Sequence, residues 1–304
     1  MRDYVIRTKN ISKKYGKQYA LKDVNINIKK GDIYGLIGKN GAGKTTLMRV
    51  ITGLSNQIDG KLELFSTTDK IIKMRKRIGV LIESPAFFED LDAYKNLEFI
   101  RRVRGIPGKN CIKEKLELVG LKDIKGKAVK DFSLGMKQKL GLAIALLADP
   151  EVLILDEPTN GLDPMGIVNM RELLKKLNRE MGITILISSH ILNELSQMAT
   201  VYGIMKDGEL VEEITMEELE EKSKQALELQ VDDAEKATWV LENILNIEDY
   251  KVLNNGILKI YERINDGKFI NKEFTKEDIL VEKMIVNGES LEDYVLNVME
   301  GNDD

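Results

Sequence analysis

The sequence predicts a doubly wound α/β domain with an inserted helical subdomain, followed by a small α+β domain, and three observations carry this reading. A strand-like run, DIYGLIG, feeds directly into a glycine-rich loop, KNGAGKTT. Two further apolar runs, EVLILDE and GITILISSH, are separated by a segment of helical period, an alternation that implies parallel strands with crossover helices. The charge balance then changes sign near residue 215: 36 basic and 27 acidic residues precede Met216, whereas 10 basic and 23 acidic residues follow from it. A chain of 304 residues with 43% hydrophobic residues is long enough for one large core and a second, smaller one.

The elements follow in order. VIRTKNI, ALKDVNINI and DIYGLIG are short β-rich runs separated by the turn-forming KYGK and KKGD. From Lys70 to about Val119 the pattern turns helical and charged. LDAYKNLEFIRRVRG and NCIKEKLELVG have apolar positions three and four apart, and the helical subdomain is placed at about residues 84–148. The stretch VYGIMKDGELV carries an Asp-Gly turn and closes the first domain as a hairpin, giving boundaries of 1–215 and 216–304. Beyond it, LELQVDD, AEKATWVLENILN, YKVLNNGILKIYE and LEDYVLNVME describe an acidic α+β accessory domain without Cys or His. Its clustered Glu217, Glu218, Glu220 and Glu221 read as a solvated helix face.

Composition excludes several classes. A net charge of −4 with 6% aromatic residues offers no global basic surface for nucleic acid. The lone Cys111 cannot form an internal disulfide and reads as an inert helical thiol; with no signal peptide evident, a reducing cytosol is expected. The most apolar run, Leu140 to Ala148, falls far short of the ~20 residues that cross a bilayer. Any membrane-spanning function therefore needs a separate polypeptide.

The run Gly38-Lys39-Asn40-Gly41-Ala42-Gly43-Lys44-Thr45-Thr46 fits the G-x-x-x-x-G-K-[ST] phosphate loop and lies between a strand and a helix, as it must. Its glycines let backbone N–H groups turn towards phosphate oxygens and the helix N-terminus adds positive field. Lys44 is expected to reach the β and γ phosphates of ATP, and Thr45 to ligate Mg2+. In Val152–Glu157 four apolar residues make a buried strand that ends in two carboxylates, Asp156 to hold Mg2+ and Glu157 to orient and deprotonate the attacking water. His190 is the only histidine and directly follows ITILISS on the same sheet edge, where it is expected to touch the γ-phosphate or the water. For Asp163, in Gly161-Leu162-Asp163-Pro164, two roles stand open: a helix cap, or a contact in the nucleotide site.

The order of phosphate loop, FSLGMKQ, LILDEP, GLDP and SSH resembles the ATPase subunit of an ABC transporter, from about Tyr4 to Val211. The resemblance implies a P-loop NTPase fold of the ABC ATPase type, with Tyr15 stacking on adenine and Ser133 with Gly135 gripping the γ-phosphate bound by the opposite subunit. Read alone, Tyr15 is equally a turn aromatic and Ser133 a helix N-cap. Two departures stand out. The family signature LSGGQ is here Phe132-Ser133-Leu134-Gly135-Met136, and the usual Q-loop glutamine is Glu83, whose carboxylate accepts hydrogen bonds or approaches Mg2+. ESPAF and SLGMKQ, with the acidic appendage, resemble the bacitracin-resistance and lantibiotic-immunity group, whose members expel antimicrobial peptides.

The resemblance implies an ATPase that closes as a dimer around two ATP molecules and drives a membrane-spanning permease from the inner face of the cell membrane. The alternative is a non-transport ABC ATPase acting on nucleic acid or the ribosome. DNA-repair relatives insert long coiled coils, and ribosome-acting relatives usually carry two cassettes; this sequence shows neither.

Overall fold

The computed structural model describes residues 4–83, 87–124, 126–223, 225–253, 256–288 and 290–300. The chain divides into two compact units, Met1–Met216 together with Val298–Asp304, and Glu217–Asn297.

The first unit opens with an antiparallel sheet of β1 (Tyr4–Tyr15), β2 (Gln18–Val24), β3 (Asn27–Lys29) and β5 (Asp59–Leu64), in which β1 pairs with the other three. Its second sheet has six strands in the order β10-β9-β4-β8-β7-β6, comprising β4 (Ile33–Ile37), β6 (Ile78–Leu81), β7 (Val152–Asp156), β8 (Thr184–Ser189), β9 (Val201–Lys206) and β10 (Glu209–Thr215). All neighbours in it are parallel except β9 and β10, which the Asp-Gly turn joins. Asp207 and Gly208 both have positive φ, 48° and 85°, which matches the right-handed twist of the flanking strands. Every residue of β4 and β8 is buried, as expected of strands covered on both faces.

Helix α1 (Lys44–Thr52) packs Leu47, Val50 and Ile51 into a core that also takes Ile6 and Ile28 from the antiparallel sheet and Tyr34, Ile154 and Leu186 from the parallel one. The helical stretch expected from Lys70 comes in pieces: α2 (Ile71–Arg75), then β6, then α3 (Ala93–Val103), α4 (Asn110–Leu118) and α5 (Leu134–Leu146). The apolar end of α5 is buried from Leu140 onward, and among the described residues no helix is long and apolar enough to cross a membrane. Helix α6 (Pro164–Met181) starts on Asp163 and Pro164 and ends at Gly182, whose φ of 66° lets its N–H cap the last turn. The short α7 (Leu192–Ser196) follows β8.

In the second unit, after α8 (Met216–Lys222), come β11 (Ala226–Val231), α9 (Ala234–Asn243), β12 (Tyr250–Val252), β13 (Ile257–Ile260), α10 (Gly267–Lys276) and β14 (Val281–Asn287). The sheet order β12-β13-β11-β14, antiparallel throughout, makes this βαββαβ run a split βαβ fold of the ferredoxin-like kind. Leu227, Leu229, Leu258 and Ile260 face Val240, Leu241, Ile270 and Phe274 in its core. The Asn-Gly turn expected before β13 lies partly outside the described residues.

Candidate active site

Three neighbouring parallel strands deliver the chemistry to one edge. In the register of β4, β8 and β7, Ile37 pairs with Ser189 and Asp156 with Ser188. The phosphate loop after Ile37, Glu157 after Asp156 and His190 after Ser189 therefore emerge side by side at the carboxyl edge, where open α/β sheets bind ligands.

The loop is shaped by Gly41 and Gly43, with φ of 86° and 105°. A Cβ on Gly43 would lie 2.7 Å from the Ala20 carbonyl oxygen, so both the conformation and the space demand glycine. The Lys44 side chain is almost wholly buried; its ammonium donates to the Gly38 and Lys39 carbonyls at 2.6 and 3.3 Å and lies 3.7 Å from Glu157 Oε1. Burial lowers its pKa, opposed by the nearby Glu157 and Asp156 carboxylates. Its donors are thus parked on loop carbonyls, beside the backbone N–H groups that suit polyphosphate.

Asp156 is held from two sides: Thr45 Oγ1 donates to Oδ2 at 2.7 Å and Ser188 Oγ to Oδ1 at 2.6 Å. Ser188 Oγ also accepts the Glu157 N–H at 2.9 Å. Glu157 sits at φ 45°, a left-handed conformation that costs a non-glycine residue about 1–3 kcal/mol and persists where the surroundings over-determine it. Its Oε2 lies 3.2 Å from His190 Nδ1 and accepts the Asn160 amide N–H at 3.2 Å. Among the described residues no three His, Cys, Asp or Glu side chains gather as a metal cage. The Thr45 hydroxyl and Asp156 carboxylate supply the sparse oxygen set that suits Mg2+, an ion that keeps several waters and takes its other ligands from substrate phosphates.

Comparison with known proteins decides the family. A family model described as ABC transporter matches residues 21–160. The bacitracin transport ATP-binding protein BcrA of Bacillus licheniformis is 44% identical over 301 residues, covering 98% of both chains. The chain belongs to the ABC transporter ATP-binding family. The lantibiotic transport ATP-binding protein SrtF of Streptococcus pyogenes is 43% identical over 207 residues, 68% of this chain and 89% of its own. The dimeric, post-hydrolysis ATP-binding cassette MJ0796 bound to ADP and Pi superposes with a TM-score of 0.62 at 29% identity, over 69% of this chain and 98% of that one. The protein is thus an ABC ATPase, an ATP-hydrolysing subunit of a transporter, and the alternative directed at nucleic acid or the ribosome finds no support among these relatives.

The remaining expected residues of the cassette are placed as follows. Ser133 caps α5, its Oγ accepting the Met136 N–H at 3.3 Å, and Gly135 sits in the first turn within reach of Leu162. Asp163 caps α6 through the Gly166 N–H at 2.9 Å. Tyr15 ends β1 with its ring half-exposed and the Lys13 ammonium 5.1 Å from its centroid; a hydrogen bond with Ser55, then the charges of Lys13 and Arg49, lower its pKa. Glu83, at φ 60°, pairs its exposed carboxylate with Arg49 of α1.

Ser188, Asn160 and Arg49 join the site without having been singled out by any motif in the sequence. Ser188 stands in plain view inside the ISSH run, but its place opposite Asp156 follows from strand register, which no linear pattern carries. Asn160 lies three residues from Glu157 in the same loop. Arg49 stands 34 positions from Glu83 and no linear pattern links them.

Proposed function

We propose that this ABC ATPase powers export of an antimicrobial peptide through a separate membrane-spanning permease, acting as a head-to-tail pair on the inner face of the cell membrane. One observation carries the substrate class: the similarity to BcrA runs through 98% of the chain, far past the segment that the general family model matches and across the whole βαββαβ unit. A likeness confined to the motor would say nothing about cargo.

In this reading Lys44 and the turned N–H groups of the phosphate loop neutralise the β and γ phosphates, and Tyr15 stacks on the base. Glu157 accepts the proton of the attacking water, and His190, already 3.2 Å from its Oε2, keeps that carboxylate aimed. Thr45 and Asp156 would hold Mg2+, which when bound neutralises charge on the phosphate oxygens. Ser133 and Gly135 complete the site of the second subunit, and Asp163 steadies the loop between the two sites. Glu83 serves coupling to the permease, its negative charge balanced by Arg49.

The test is reconstitution with the permease in proteoliposomes, measuring ATP turnover and peptide clearance together for bacitracin, a lantibiotic and a non-peptide drug. Turnover stimulated several-fold by a peptide alone is the expected result; stimulation only by the non-peptide drug, or by none of the three, overturns the substrate class. In the same system Glu83→Gln is expected to leave basal turnover within about three-fold, and Glu83→Ala to lose the stimulation. Basal loss in Glu83→Ala as deep as in Glu157→Gln would move Glu83 into the chemical step.

A further inference from the structure

We infer that Glu194 is a positioning residue for hydrolysis, locking the loop that follows Glu157 to the strand end that carries His190. The inference rests on the assignment of Glu157 and His190 to the chemical step. Glu194 lies on the short α7, and one of its oxygens, Oε2, accepts two hydroxyls: Thr159 Oγ1 at 2.7 Å and Ser189 Oγ at 3.1 Å. Both donors are buried, each only 3% exposed, so this carboxylate is the acceptor the structure provides them in place of water.

The two donors are one residue away from the two groups that meet on Glu157. Thr159 precedes Asn160, whose amide reaches Glu157 Oε2 at 3.2 Å, and Ser189 precedes His190, whose Nδ1 is 3.2 Å from the same oxygen. Ser189 Oγ further accepts the Ile191 N–H at 3.0 Å, which pins the backbone on the far side of His190. Asn160, His190, Ser189, Glu194 and Glu157 line a cavity of about 150 Å³, so on that side close packing does not fix their positions. With space beside them, the two side chains that orient the base depend on the backbone that carries them, and the hydroxyls of the residues just before them, Thr159 and Ser189, converge on Glu194. A displacement of about 1 Å in such a constellation costs on the order of 100-fold in rate.

The test uses the full-length chain with Glu194→Ala, Glu194→Gln, Thr159→Val and the Glu194→Ala/Thr159→Val double variant, with kcat and ATP affinity measured separately. Glu194→Ala is expected to lower kcat by about 10- to 100-fold while ATP affinity stays within about two-fold. Glu194→Gln, whose amide oxygen still accepts both hydroxyls, should stay within about three-fold of the parent, a rescue that a generic loss of stability would not produce. The double variant should be no slower than Glu194→Ala alone. Thr159→Val preserves side-chain volume and carries the test if Glu194→Ala fails to fold. Parent-like kcat in both Glu194→Ala and Thr159→Val, equal losses in the Ala and Gln variants, or additive losses in the double variant each overturn the inference. Retention of turnover by Glu157→Gln would instead remove the assignment beneath it.

Discussion

Ser188→Ala is the substitution that most directly probes how the catalytic edge is held. The hydroxyl is fully buried and does two things at once: it donates to Asp156 at 2.6 Å and accepts the N–H of Glu157 at 2.9 Å. Removing it deletes a hydrogen bond to an ionised carboxylate, worth about 1.5–3 kcal/mol, and strands a buried N–H at a cost of about 1–3 kcal/mol. The two losses share one atom and do not add in full, so about 3 kcal/mol is the expected destabilisation. For a unit of this size 1 kcal/mol moves the midpoint by about 2–4 °C, which places the shift at about 6–12 °C. The N–H that is freed belongs to the residue in the left-handed conformation, so Glu157 also gains a route to relax away from the attacking water, and kcat is expected to fall by at least about ten-fold. Calorimetry and steady-state turnover would be run beside Ile187→Val, a methylene deletion one position away in the same buried strand, which costs about 0.5–1.5 kcal/mol through packing alone. A Ser188→Ala protein that melts and turns over like Ile187→Val would refute the reasoning.

Three further predictions are more direct. Glu157→Gln should bind ATP yet turn over at least about 100-fold more slowly and accumulate as a dimer, read by phosphate release and mass together; near-parental phosphate release would mean another group is the base. Lys44→Ala should lose ATP affinity by at least about ten-fold in a binding titration, since it deletes the cation that faces the phosphates, and unchanged affinity would disprove the phosphate-loop assignment. Glu98 on α3, hydrogen-bonded first by Arg101 and then by Arg102, has its pKa lowered to about 2. A carboxylate with a depressed pKa stabilises the fold fully above its unfolded value and loses that contribution as pH falls through its folded value. The loss therefore falls between about pH 4.5 and 2. Glu98→Gln should flatten that part of the stability curve, and a carboxyl titrating near 4.5 by NMR would contradict the pairing.

Runs of consecutive residues carry the part of this protein that can be read along the chain. The phosphate loop needs its glycines and lysine within nine positions, the two apolar runs declare buried parallel strands, and Asp163-Pro164 and Asp207-Gly208 announce a helix start and a hairpin turn, because backbone conformational preferences act over a few residues. Asp156 and Glu157, at the end of one apolar run, and His190, directly after another, were legible for the same reason. How these pieces hold one another emerges only in three dimensions: Ser188 bridging Asp156 and Glu157 across adjacent strands, the left-handed turn at Glu157, Arg49 answering Glu83, and one Glu194 oxygen gathering two hydroxyls. The same holds for the acidic C-terminal unit, where helical and strand-like runs were visible but the order β12-β13-β11-β14 was not. Partners 32 or 35 residues apart, as Ser188 is from Asp156 and Glu194 from Thr159, meet only once strand order and register are set, and those follow from burying whole faces of the sheet, a property no local stretch of sequence contains.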